Sequence, residues 1–500
     1  MGKDNFCSFY TNSEEITSLM VNNLQVNDGF RVLEPSAGEG VFIDSLLSQN
    51  QNLFVDAIDI NKDVISLLKE KYSNNKNINI ICADTLLDNK LDKIAFCGGM
   101  YDAIIGNPPY GAWQEYEKRA TLKKKYTGHY VKETYSLFLL RCLSLLKLNG
   151  KLSFIVPDTF LYLNLHTKLR KTLLINSKIS QIIIFPSKFF PGISFGYSNL
   201  CIITLQKEKP EISKNNIITI LKDLKTVSDL NEIKNNNILP HITKYNLKQD
   251  EILNNKDCRF ILADNNIISL LNKSKKCIGD FADVVTGFYS GNNKKYVKVA
   301  SQDVRGAKGY NIINHDEIGN SNSLEGIDSD KDIYIPYIKS ASTTKYIRKD
   351  NDWYLLWNKK AIKEYLSNPK ARFQNSKFYF RDGIAIPMVK SSNIKATIMH
   401  NCIFDQSIVG IFPHNSSLMN YFLALFNSEY FNKMIHIINP TANNSANYIK
   451  QIPLVLPNEH VLNEINAMVT KILFQKNSKS AIDLIHEQLN QKILDIYAKA

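Results

Sequence analysis

The sequence predicts an α/β chain: a doubly wound, mostly parallel sheet in the first half, followed by a separate α+β unit. Three observations predict it. Short apolar strands alternate with helix-patterned segments through residue 205. That alternation stops near residue 206, at the polar stretch "KEKPEISKNN". Beyond residue 260, short strands and turn residues give way to a long helical tail. Alternation of apolar strands with helices buries a parallel sheet between two helical layers.

The elements follow in order. "FRVLEP" is a short apolar strand, "GVFIDSLLSQ" a helix, "LFVDAIDI" a strand and "KDVISLLKEKY" a helix. "INIICAD" and "YDAIIGN" are the next strands. "ETYSLFLLRCLSLLKLNG" reads as a long amphipathic helix closed by Gly150, since glycine commonly ends helices. "KLSFIVP", "KISQIIIF" and "NLCIITLQK" complete the series. No helical pattern separates the last two, so they are expected to pair antiparallel. Residues 226–260 are rich in Asn and Lys and read as a linker between a domain at 1–225 and a second at 261–500. In that second domain "DIYIPYI", "WYLLW", "FYF", "IAIPMV" and "IVGIFP" read as strands. "LMNYFLALFNSEYFNKMIHII" and "EHVLNEINAMVTKILFQK" read as helices.

The 500 residues hold 61 Lys and Arg against 48 Asp and Glu, a formal net charge of +13. A basic excess fits a polyanionic partner, because each cation on a phosphate releases counterions. The eight cysteines form no CxxC pair, and several sit in apolar runs such as "NLCIITL". They read as reduced thiols of a cytoplasmic protein, with no zinc site. The polar start "MGKDNFCSFYTNSEE" carries no signal peptide, and no apolar run has the length of a membrane span.

Ligands of an open parallel sheet bind at the carboxyl ends of its strands, and four polar signals fall there. Glu34 ends the first strand and opens "EPSAGEG". Asp59 ends the second, at the distance past the glycines where a ribose-binding acid is expected. Asp84 ends the third and Asn107 the fourth. Gly38 and Gly40 permit a tight turn close to a ligand. The loop lacks the GK[ST] ending of a phosphate loop and does not complete GxGxxG. Acids on both sides repel a pyrophosphate and suit a cation. S-adenosylmethionine, with its ammonium, sulfonium, ribose and adenine, has that chemistry.

The fourth strand runs into "NPPY". Asn107 offers a side-chain carbonyl, and Pro108 a backbone carbonyl steered by a fixed ring. Together they can accept both hydrogens of a planar NH2 and direct its lone pair towards a methyl donor, a case of electrostatic preorganisation. Tyr110 supplies a flat face for stacking.

In this order, "VLEPSAGEGVFIDSLL", "AIDIN", "ICADTLL" and "YDAIIGNPPYG" resemble the adenine-N6 DNA methyltransferases of the gamma arrangement, the group of the TaqI methyltransferase and its Eco57I-like relatives. The resemblance covers roughly residues 9–205. It implies a Rossmann-like class I methyltransferase fold, S-adenosylmethionine as cofactor and double-stranded DNA as partner. "YTNSEEITSLMV" resembles the N-terminal cofactor motif and would bring Thr11 near the methionine end. Glu34 would face the methionine moiety, Asp59 the ribose hydroxyls, and Asp84, with Thr85 beside it, the adenine; Ile60 is a further cofactor-binding residue. Pro35, Ser36, Gly38, Gly40 and Asn107 would complete the cofactor pocket. "FFPGISFGYSNLCIITLQK" resembles the motif whose aromatic covers the far face of a flipped base. Phe190 is the aligned residue and Phe195 its rival. The implied chemistry is direct transfer through Asn107, Pro108, Pro109, Tyr110 and Phe190. It requires no metal, and the sequence offers no metal-ligand cluster.

"CIGDFADVVTGFYSGNNKKYV" resembles the opening of the target-recognition domains of this family, which would set Lys294 and Lys295 near phosphates. "TTKYIRKDNDWYLLW" interleaves Lys345, Arg348 and Lys349 with aromatics, and "ARFQNSKFYFRDG" does so with Arg372, Lys377 and Arg381. Both patterns fit nucleic acid. NPPY also serves protein-glutamine methyltransferases, whose extra domain precedes the cofactor motif, and RNA amino-methyltransferases are a second rival, against which the long C-terminal reader with several small strands argues. A monomer and a separately encoded restriction endonuclease complete the expectation.

Overall fold

The computed structural model describes residues 13–499 except 111–115, 191–198, 264–266, 269, 272–273, 275, 349–350, 390–393, 440–442 and 475–478. Thr11, Phe195 and Lys349 lie outside the described residues. The chain divides into two compact units, with the boundary between Leu262 and Ala263.

The first unit opens with α1 (Glu14–Leu24), whose N-cap Ser13 accepts a hydrogen bond from Ile16 N. Then come β1 (Arg31–Glu34), α2 (Val41–Gln49), β2 (Phe54–Asp59), α3 (Lys62–Lys71), β3 (Ile78–Cys82), α4 (Asn89–Phe96) and β4 (Tyr101–Gly106). They are followed by α5 (Tyr116–Lys125), α6 (Thr134–Leu145), β5 (Leu146–Pro157), α7 (Thr167–Asn176), β6 (Ser177–Pro186) and β7 (Asn199–Lys207). The unit closes with α8 (Pro210–Ser213), β8 (Ile217–Lys222), α9 (Asp229–Lys234), β9 (Thr243–Lys248) and α10 (Gln249–Asn254).

The strands form one sheet in the order β3-β2-β1-β4-β5-β7-β6-β8-β9. β1, β2, β3, β4 and β5 pair in parallel. β7 runs antiparallel to both β5 and β6, as the missing helix between β6 and β7 predicts. The chain leaves β1 towards β2 and β3, then returns to place β4 on the other side of β1, with Leu33 opposite Ile104. This reversal opens a crevice at the carboxyl ends of β1 and β4, where open α/β sheets bind ligands. The strands beside it carry a buried apolar stretch (Val32, Leu33, Ala103, Ile104 and Ile105), which fixes their depth.

Two expectations need correction. Gly150 does not end a helix. α6 stops at Leu145, and β5 begins at once with Leu146. Asn149 takes the left-handed conformation, at φ +67°, where the β4–β5 register shifts. A Cβ on Gly150 would lie 2.9 Å from Tyr101 O, so the glycine serves close strand packing. Residues 226–260 likewise do not form a linker. They carry α9, β9 and α10, and β9 completes the large sheet against β8. Their polar composition hid this because β9 is an edge strand with one exposed face. Buried Gln249 fastens the segment. Its Oε1 accepts from Ile179 N at 2.8 Å and Asn216 Nδ2 at 2.7 Å, while Nε2 donates to Leu174 O at 2.8 Å and Ser177 O at 2.9 Å.

The second unit holds two four-stranded sheets. β10 (Ala282–Thr286), β17 (Ile408–Pro413), β14 (Gly383–Pro387) and β15 (Thr397–Met399) form one, in that order. β11 (Val297–Val299), β13 (Trp353–Leu356), β12 (Tyr334–Ile338) and β16 (Ile403–Phe404) form the other. The first sheet shares a core with the helices Met419–Asn427, Glu429–Ile438, Glu459–Phe474 and Lys479–Ala498. The second packs on an aromatic cluster containing Phe288, Trp353, Trp357 and Tyr365. "FYF" is not a strand: Ser376–Phe378 is a single helical turn, and its Phe378 ring stacks on Phe412. The apolar run 418–438 splits into two helices because Ser428 caps the second, its Oγ accepting from Phe431 N.

Gln249→Leu removes four hydrogen bonds, three of them to buried backbone groups, and should lower the stability of the first unit by about 3 kcal/mol; a thermal midpoint unchanged from wild type would contradict this anchoring. Asp229 gives a pH signature. Burial raises its carboxyl pKa, but hydrogen bonds from His241, Lys225 N and Thr226 outweigh that and bring it down to about 2. The resulting stability is fully present above the ordinary carboxylate pKa and is lost as pH falls from about 4 towards 2. Asp229→Asn should therefore flatten the decline of the thermal midpoint across that window, as acid unfolding followed by circular dichroism would reveal.

Candidate functional site

The site grows from the ends of β1 to β4. Glu34 closes β1 and is buried, at 1% exposure. Its Oε2 has no hydrogen-bond partner among the described residues. Burial, then the negative charges of Asp59 and Asp44, lift its pKa well above the usual carboxylate range, with Lys71 opposing. A buried carboxyl in that state gains from a cation placed beside it.

The loop after Glu34 is pinned from two sides. Ala37 N donates to Ile58 O at 2.9 Å, and Gly38 N to Asp59 Oδ2 at 3.0 Å. Asp59 Oδ1 accepts from Asn61 N at 2.8 Å. Each carboxylate oxygen keeps a second lone pair, as a ribose diol requires. Gly40, at φ +78°, has no room for a side chain, because a Cβ would lie 2.6 Å from Tyr72 Oη. Tyr72 Oη is 3.0 Å from Gly40 O and 2.7 Å from Asp44 Oδ1, while Lys71 Nζ donates to Glu39 O at 3.0 Å and pairs with Asp44 at 2.6 Å. The sequence reading missed this brace. Its only signal was a Lys-Tyr pair at the end of α3.

β3 and β4 are tied to the same loop. Thr85 Oγ1 donates to Pro35 O at 2.6 Å, in a buried setting. Ser36 Oγ lies 3.4 Å from Asn107 O, and a Cβ on Gly106 would touch Pro35 Cδ at 3.4 Å. The structure thus brings Glu34, Pro35, Ser36, Gly38, Asp59, Thr85 and Asn107 together, with Gly40 opening α2. Ile60 is 42% exposed beside Asp59. Asp84 Oδ1 accepts from Leu86 N at 3.0 Å, and its Oδ2 pairs with Lys118 Nζ at 2.7 Å. Lys118 is a further residue the sequence reading passed over, although it stands in the charge run "EKRATLKKK" just after NPPY.

Pro108 and Pro109 continue from β4, and Thr134 Oγ1 at the start of α6 donates to Pro109 O at 2.5 Å. Tyr110 is fully buried. Phe190 is buried too, stacked on Phe185 at 6.2 Å between centroids and 26° between planes. In this conformation neither ring presents an open face. The orphaned Glu34 oxygen, the Asp59 lone pairs and the exposed Ile60 fit a cationic cofactor carrying a ribose and an adenine.

The expected DNA contacts of the second unit divide. Lys294, Arg372 and Arg381 are exposed, with Arg381 resting over the Phe378 ring. Lys295 is exposed but paired with Glu364 at 2.6 Å. Lys345 and Arg348 do not serve as surface cations. Lys345 Nζ is half-buried, 2.5 Å from His486 Nε2 and 3.3 Å from Asn427 O, and burial lowers its pKa. The Arg348 side chain is 12% exposed, donates to Ser340 O and faces Asp352 at 3.8 Å. Interleaving with aromatics placed both in a packed corner rather than on a face. Among the described residues no cluster of His, Cys, Asp and Glu could hold a metal, and no helix is long and apolar enough to cross a membrane.

Comparison with known proteins bears on this site. The family model of the Eco57I restriction-modification methylase matches residues 18–190. The type II methyltransferase M.AccI of Acinetobacter calcoaceticus is 28% identical over 291 residues, covering 56% of this chain and 50% of that protein. The type II methyltransferase M.HincII of Haemophilus influenzae is 31% identical over 213 residues, covering 41% of this chain and 38% of that protein. The chain thus spans half or less of the length of these relatives. Among solved structures, a nuclease-deletion mutant of the Type ISP restriction-modification enzyme LlaGI superimposes with a TM-score of 0.58 at 14% identity, covering 93% of this chain and 46% of that one. The corresponding values for LlaBIII are 0.54, 14%, 93% and 39%. At such identity the likeness shows the fold, a class I methyltransferase sheet followed by further structure. The matched residues 18–190 contain the glycine loop, the strand-end acids and the whole Asn107–Tyr110 turn, so over that stretch the chain is similar to the Eco57I restriction-modification methylases.

Proposed function

We propose that this protein is an adenine-specific DNA methyltransferase of a restriction-modification system, carrying a methyl group to N6 of an adenine turned out of the duplex. The observation that carries the reading is the Asn107-Pro108 turn. It is held against the loop of β1 by Ser36 and against α6 by Thr134, across the crevice whose wall is the buried Glu34. An N6 amine is paired inside a duplex, so the base must leave the stack to reach such a corner.

When bound, S-adenosylmethionine supplies an electrophilic methyl group. The protein's part is positioning and electrostatics. Glu34 offers the ammonium end a buried carboxylate, Asp59 accepts from the ribose hydroxyls, and Asp84 and Thr85 border the adenine. The Asn107 side-chain carbonyl and the Pro108 carbonyl accept the two amine hydrogens and draw electron density onto N6. Tyr110 and Phe190 hold the base by stacking, worth about 1–3 kcal/mol per ring. Both rings are covered in this conformation, so entry of the base has to displace what covers them. The amine proton leaves after transfer, and no covalent enzyme intermediate or metal is needed. In this reading the second unit recognises the target sequence, with Lys294, Arg372 and Arg381 free to reach phosphates. The enzyme acts as a monomer in the cytoplasm.

Asn107→Ala should reduce methyl transfer to DNA at least about a hundredfold while leaving DNA binding near wild type. Incorporation of tritium from labelled cofactor checks this, and normal turnover would refute the acceptor pair. Glu34 predicts a pH dependence of cofactor affinity. Its pKa is raised by burial and by Asp59 and Asp44, and a cation favours its ionised form, so the dissociation constant should fall as pH rises through the range where the carboxyl titrates. Calorimetry in buffers of different ionisation heat would detect the proton released. Glu34→Gln should bind more weakly and lose the dependence.

A further inference from the structure

The segment between Tyr110 and Glu133 does more than connect β4 to α6. Residues 116–132, "YEKRATLKKKYTGHYVK", hold Lys118, Arg119, Lys123, Lys124, Lys125 and Lys132 against a single acid, Glu117. The segment leaves the carboxyl end of β4 and returns to the start of α6, so it stands on the edge of the sheet that carries the site. One face of α5 is fixed to the unit. Leu122 is fully buried, and Tyr126 Oη donates to Leu86 O at 2.9 Å. Lys118 pairs with Asp84 and Lys125 with Asp92, at 2.7 and 2.8 Å. Those two ion pairs set the rotation of the helix about its axis.

That rotation turns Lys123 and Lys124 outward, while Arg119 keeps its Nε buried. Lys123, Lys124 and Lys132 are exposed, and none has an ion-pair partner among the described residues. Lys168 joins them from α7. Its ammonium donates to Thr127 O at 2.6 Å, and Thr127 Oγ1 in turn donates to Lys124 O at 2.9 Å. Ammonium groups gathered without counter-charges repel one another unless an anion is supplied. Here they sit on the same stretch of chain as NPPY, beside the crevice, so a duplex delivering a base to Asn107 would bring its phosphates to this edge.

Resting on the function proposed above, we propose that the outer face of α5 and its following turn, with Lys123, Lys124 and Lys168, binds the phosphate backbone of the strand that carries the target base. The contact is sequence-independent and belongs to the catalytic unit, separate from sequence reading by the second unit. Because Lys118 holds Asp84 from the same helix, the phosphate-binding face and the wall of the cofactor pocket move as one piece.

The test is a salt titration of binding to a DNA duplex of arbitrary sequence by the full chain. Lys123→Gln/Lys124→Gln should reduce the slope of log affinity against log salt by about 1.8, at 0.9 per phosphate contact, and weaken binding at least about tenfold at low salt. Cofactor affinity should stay unchanged, and Lys123→Arg/Lys124→Arg should restore the slope. A Lys69→Gln/Lys76→Gln control makes the same charge change at the end of α3 and the turn after it, on the strand-amino edge, and should leave the slope as in wild type. An unchanged slope in the α5 variant, or an equal loss in the control, would overturn the proposal. Wild-type protein that binds duplex but transfers no methyl group would defeat the proposed function while leaving this slope readable. Wild-type protein that does not bind duplex would defeat both.

Discussion

The constraint on which the site depends is the fixing of one short loop, Pro35–Gly40, between three strands. Backbone carbonyls and amides at a strand end have no ladder partners, and left alone they turn to water. Here Thr85 takes Pro35 O, Asp59 takes Gly38 N, and Ile58 O takes Ala37 N. Two of these bonds come from the end of β2 and one from beyond β3, and the conformation they hold sets where Glu34 and Asn107 lie relative to each other. Behind it, Tyr72 and Leu68 occupy the space that a side chain at Gly40 would need, and Asp44 holds the Tyr72 hydroxyl in place. The glycine is thus a consequence of packing from α3 as much as of ligand approach.

Charge in this molecule follows burial. Glu34 is enclosed by apolar strands and other acids, so its ionised form is disfavoured until a cation arrives. Asp229 is also buried, yet its carboxylate is fully engaged by donors and stays ionised far into the acid range. The same residue class therefore serves opposite ends. One carboxyl is kept receptive at the site, and the other ties the turn before α9 to His241 just ahead of β9. Lys345 and Arg348 illustrate the rule for cations: enclosed by packed backbone carbonyls and His486, they support the fold of the second unit rather than its surface charge.

Most of the first unit was legible along the chain. The strands β1 to β7, their order of appearance and the antiparallel turn of β7 follow from apolar runs, strand spacing and one missing helix. The site acids were legible because each directly follows an apolar run, where a parallel strand must end. What escaped were features without a local pattern. β9 is polar on its exposed face, so its membership of the sheet rests on pairing with β8 and on Gln249 far along the chain. Gly150 has the composition of a helix end, but the need of β5 to approach Tyr101 decided its role.

By itself, the sequence determined which residues end the buried strands, and with them the identities of Glu34, Asp59, Asp84 and Asn107. Alternation of apolar and polar residues is a local property, read without knowing what packs on what. Only the tertiary structure decided which side chains share a partner. Asp84 meets Lys118, Thr85 meets Pro35, and Lys345 meets His486 across intervals of 34, 50 and 141 residues. Such pairings depend on where the sheet order reverses and on which face of a helix is buried. Both are set by the packing of the whole unit rather than by any stretch of chain.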